Sequence, residues 1–83
     1  MTAPEYYGDA VQILTTDSII TLTLLENQGT LVPKATIKIP LRIAKELALV
    51  LRHHLKRAES RQGEAIMVSP EWFKQVGVAP EDW

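Results

Sequence analysis

His53 and His54 are the only histidines in the chain, and they are adjacent. Neighbours on a helix point roughly 100° apart, so they cannot share a metal as an i, i+4 pair does. Helical spacing puts His54 inside an apolar arc and His53 outside it. A packed ring with one bonded nitrogen is the ordinary reading. A pH-sensitive contact at an interface is the sharper one. The carboxylates Glu71, Glu81 and Asp82 lie toward chain ends without a base beside them, and Asp17-Ser18 reads as a turn. No Ser/His/Asp spacing, phosphate loop or Gly-rich fingerprint occurs. With four glycines and no cysteine, thiol chemistry, disulfides and Cys-based zinc sites are excluded. The expectation is a protein that is not an enzyme and carries no cofactor or metal.

The chemistry left is that of contact. Trp72, Phe73 and Trp83 can act as core residues or interface anchors. Phe73 suits the core, and Trp72, one step round a helix, suits a surface. A basic set, Arg42, Lys45, Arg52, Lys56, Arg57 and Arg61, faces only Glu46 and Glu59 in the same stretch. Late cations complement a helix macrodipole. They would also serve a small nucleic-acid-binding regulator using Arg42, Lys45, Arg52, Lys56 and Arg57. That reading needs reinforcing cations elsewhere. Positions 1 to 33 hold Glu5, Asp9, Asp17 and Glu26 and no Lys or Arg, and the net charge is −1. Nucleic acid is therefore the weaker expectation.

The elements that position these residues read clearly. Val11 and Ile13 oppose Gln12 in a first strand, about 10–16. Ile20, Leu22 and Leu24 alternate with Thr21 and Thr23 in a second, about 19–25. After the turn chemistry of Glu26-Asn27-Gln28-Gly29-Thr30, Ala35, Ile37 and Ile39 alternate with Lys34, Thr36 and Lys38 in a third, about 34–39. Short connections imply an antiparallel meander. Pro40 opens a long helix, about 41–61, which Gly63 closes. Ile66 and Val68 form a short extended piece. Ser69, Pro70 and Glu71 start a short helix, about 70–76, and Gly77 stops it. The fold class is α+β, with the sheet packed on the long helix.

The long helix is apolar round half its circumference, through Leu41, Ile43, Ala44, Leu47, Ala48, Val50, Leu51, Leu55 and Ala58. One core needs a stripe of only a little over ~100°. Leu49 falls outside even that arc. The late segment from Ile66 to Val76 accounts for part of the surplus. The rest, centred on Leu49, Val50 and His54 and joined by Trp72, is the expected partner interface.

The order of Pro40, Ala44-Lys45, Gly63, Ile66, Val68, Pro70 and Phe73 resembles the C-terminal half of the bacterial export chaperone SecB. It covers about the last half of this chain and is most specific from Ile66 to Phe73. SecB-like chaperones are longer and have a fourth strand. The strand–helix part also resembles small bacterial proteins of unknown function with a three-strand-plus-helix layout. The chaperone resemblance implies a non-enzymatic oligomer whose apolar grooves hold non-native chains.

Eighty-three residues imply one domain, 1–83, with arms at 1–8 and 78–83. Tyr6 and Tyr7 are expected to pin the first arm to the body. No apolar stretch reaches the ~18 residues of a membrane span. Met1-Thr2-Ala3-Pro4-Glu5 lacks a signal-peptide pattern, so a cytoplasmic location is expected. Small domains bury little surface alone. The expected function is protein binding or assembly as a homodimer or larger, chaperone-like or partner-inhibiting.

Overall fold

A computed structural model describes residues 2–83. Its elements run β1 (Ala10–Thr16), β2 (Ile19–Asn27), β3 (Leu31–Pro40), α1 (Leu41–Gln62) and α2 (Pro70–Val76), with a 3₁₀ turn at Pro80–Asp82. The fold is α+β, as the alternation and punctuation of the sequence predict. The chain divides into two compact units, Met1–Leu51 and Arg52–Trp83.

The first unit is built on a three-stranded antiparallel sheet in the order β1-β2-β3. A two-residue connection, Asp17-Ser18, joins β1 to β2, and Asp17 takes a left-handed φ of 47°. Aspartate is among the side chains that tolerate that region. Gln28–Thr30 joins β2 to β3. There Gly29 has φ 91°, and its N–H donates to the Asn27 side-chain oxygen at 3.2 Å.

Register pairs Val11 with Leu24, Ile13 with Leu22, Ile20 with Ile39, Leu22 with Ile37 and Leu24 with Ala35. One face therefore carries Val11, Ile13, Ile20, Leu22, Leu24, Ala35, Ile37 and Ile39. The other carries Gln12, Leu14, Thr21, Thr23, Thr36 and Lys38. The pairing shifts between Leu24 and Leu25, where Leu25 meets Pro33. Lys34 is thus the extra residue of a β-bulge. The third strand begins three residues earlier than its alternation suggests. Pro33 interrupts the signal, but an edge strand tolerates a proline.

Strand passes into helix without a loop, and the helix begins at Leu41, one residue after the proline expected to open it. Pro40 ends β3 and offers no N–H. The first helical N–H, on Leu41, donates to the Ser18 carbonyl at 3.2 Å. This satisfies one of the orphan donors of the helix N-terminus from the β1–β2 turn, which lies beside it because Ile19 pairs with Pro40.

Packing is where the first unit departs from expectation. Among the described residues, extensive packing between elements is strand on strand. Leu25 is the one buried side chain among the described residues, and no residue of α1 is buried. The apolar sheet face is open at its margins, with Ile13 61% and Ile37 56% exposed. The cover expected from the helix is slight over residues 41–51: Leu41, Leu47 and Leu51 of the apolar arc are exposed, and Ile43 and Ala44 are half-buried. Tyr6 and Tyr7, expected to pin the N-terminal segment, are exposed as well. The close approach is made instead by Gly8. A Cβ there would lie 2.5 Å from the Leu24 side chain and 2.6 Å from the Leu25 carbonyl oxygen.

In the second unit α1 ends at Gly63, whose φ is 76° and whose N–H donates to the Glu59 carbonyl at 2.9 Å. The same glutamate's carboxylate accepts the Ile66 N–H at 2.9 Å, fixing the start of the extended piece. Helix α2 has Pro70 in its first turn, and Gly77 closes it in the left-handed region. Ser69 precedes it without a side-chain capping bond, so the proline, with its preset φ, carries the start.

Candidate interaction site

The second unit contains an open groove of about 540 Å³. Its walls are Leu55 of α1, Ile66 and Val68 of the extended piece, Trp72, Phe73 and Val76 of α2, and Val78 and Trp83 of the tail. Asp82 is its one ionisable lining residue. Each wall follows from local sequence. Gly63 and the Glu59–Ile66 bond turn the chain back. Pro70 starts α2 so that Trp72, Phe73 and Val76 fall on it. Gly77 then releases the tail, and both its N–H and that of Val78 donate to the Phe73 carbonyl.

The tail, expected as an arm, is tied to the helix. Arg52 Nε donates to the Trp83 carbonyl. The Trp83 ring also receives two cations, with Lys56 Nζ 4.8 Å and the Arg52 guanidinium 5.9 Å from its centroid. Trp83 is half-buried as a result.

Among the expected interface residues, Leu49 is 62% and Trp72 57% exposed, and Val50 and His54 are also open. Leu49 and Val50 belong to the first unit; His54 and Trp72 belong to the second. Phe73 is half-buried, beside the exposed Trp72. His54 meets His53 edge-on, centroids 5.9 Å apart. Among the described residues, no group of three or more His, Asp or Glu is placed to hold a metal.

Comparison with protein-family models, with curated proteins and with solved structures finds no match. The assignment of function therefore rests on this chain's own surfaces.

The five cations expected of a nucleic-acid surface are mostly engaged within the chain. Arg42 pairs with Glu46 at 3.5 Å, one turn on. Arg52 and Lys56 hold Trp83. Lys45 and Arg57 have no ion-pair partner among the described residues. Among the described residues, no charged or polar side chain is buried.

Sequence reasoning missed the groove and the Trp83 clamp. The signal available was Arg52 and Lys56 at i, i+4 on a helix with an unassigned downstream aromatic. The Glu59–Ile66 bond has no comparable sequence signal. Among the described residues, no helix is long and apolar enough to cross a membrane.

Proposed function

We propose that this chain is a non-enzymatic protein-binding module that works as a homo-oligomer, with chaperone-like or partner-inhibiting activity. One observation carries the reading: Leu25 alone is buried while nineteen large apolar side chains are exposed among the described residues. Single exposed apolar residues are ordinary, but a contiguous apolar surface marks an interaction site. The total accessible surface is 7213 Å². A compact 9.3 kDa monomer exposes roughly 5,000 Å², and two separately compact pieces of these lengths expose roughly 6,000 Å². The surplus is above 1,000 Å² on either basis. A standard interface takes about 800 Å² from each partner.

Cysteine-free composition suits a reducing cytoplasm. Leu49, Val50, His54 and Trp72 are the residues assigned to partner contact. A nucleic-acid regulator is the weaker alternative, since three of its five cations already engage other groups of the chain.

Sedimentation of the purified chain tests the assembly claim, and a monomer at micromolar concentration would overturn it. For the chaperone-like activity, stoichiometric protein should slow aggregation of an unrelated unfolded protein. An unchanged aggregation rate removes that activity and leaves assembly standing.

A further inference from the structure

The two outer edges of the sheet are unlike. Strand β3 presents Pro33, Lys34, Lys38 and Pro40 and carries the bulge at Lys34. Proline, lysine and bulges are the devices that stop a sheet edge from pairing further. Strand β1 has none of them. Its seven residues, Ala-Val-Gln-Ile-Leu-Thr-Thr, contain no proline and no ionisable side chain, and Val11, Ile13 and Leu14 are each more than half exposed. Among the described residues it pairs only with β2, so its outer N–H and C=O groups have no strand partner there. The acid at its start is already engaged, because Asp9 Oδ1 accepts the Asn27 N–H at 2.9 Å.

We infer that β1 is a self-pairing edge: two copies join antiparallel through β1, making one six-stranded sheet. The inference rests on the assembly reading above and adds a second contact to it, distinct from the Leu49, Val50, His54 and Trp72 surface. A two-fold axis sets residue i of one strand against j of the other and j against i, and a residue on the axis meets its own copy, so edge charges of one sign face one another. Like charges directly opposite destabilise a strand pair, and β1 carries none. Alternation then continues the Val11 and Ile13 row into the same row of the second copy. The apolar faces of both sheets become one surface.

The absence of cysteine allows a direct test. Single cysteines are placed in turn at positions 11 to 15 of the full chain, with Thr36→Cys on β3 as control. Mild oxidation is expected to give covalent dimers from β1, fastest at the position nearest the two-fold axis, and slow ones from Thr36→Cys. In parallel, Gln12→Lys with Leu14→Lys should weaken assembly at least about tenfold in sedimentation, while Thr36→Lys should not. If the lysine pair prevents folding, judged by circular dichroism, the cysteine scan decides. A monomeric native chain sinks both this inference and the assembly reading. A native oligomer that cross-links no faster through β1 than through Thr36→Cys sinks the β1 edge alone.

Discussion

Gly8 and Gly29 are both glycines for a reason, and the reasons differ. At Gly8 the obstacle is matter: an added methyl meets Leu24 and the Leu25 carbonyl, and a backbone atom cannot move aside cheaply. Gly8→Ala should lower stability by about 1–3 kcal/mol, read as a lower urea midpoint at constant slope. At Gly29 the surroundings are empty within 4 Å, but φ is 91°. Gly29→Ala should cost about 1 kcal/mol through backbone strain alone. Trp83 tests the same scale in the second unit. In a Trp72→Phe background, Lys56→Gln should make the remaining indole more accessible to acrylamide quenching. Unchanged quenching would show that the cation does not hold the ring. Neither the Gly8 contact nor the clamp was legible in the sequence, because each joins residues that no periodicity relates.

At the scale of elements, most of the fold was legible. Thr21 and Thr23 between Ile20, Leu22 and Leu24 leave one register that keeps the apolar side chains together. Pro70 and Gly77 bracket α2 as they would any short helix. Ser69 was legible as a boundary but not as a cap that fails to bond. Ser69→Ala should therefore change stability by less than about 0.5 kcal/mol, against about 1 kcal/mol for a bonded cap. The bulge was not legible, since an unpaired Lys34 looks the same as a paired one in an alternating run. Its presence makes Lys34 the position of β3 whose deletion restores a regular ladder without moving the other pairs. Deleting Thr36 instead reverses the facing of part of the strand. The Lys34 deletion should fold and the Thr36 deletion should not, with circular dichroism as the readout.

At the scale of the whole molecule, the sequence overstated how much the chain covers for itself. The wide apolar arc of the long helix was legible as a surplus. Its extent was not, because a wheel reports which residues share a side and says nothing of what meets them. If burial is completed by a second copy, the melting temperature should rise with protein concentration, and Leu49→Asp should flatten that dependence while lowering the curve. A concentration-independent transition would place the missing cover elsewhere. The unlike edges of the sheet bear on stoichiometry as well. Units with two joinable edges add end to end without limit, whereas units with one stop at a pair. If β1 pairs with its own copy, Pro33, Lys34 and Lys38 are what separate a closed particle from an open-ended filament. Replacing all three with threonine should convert a discrete sedimenting species into fibrous material that binds thioflavin.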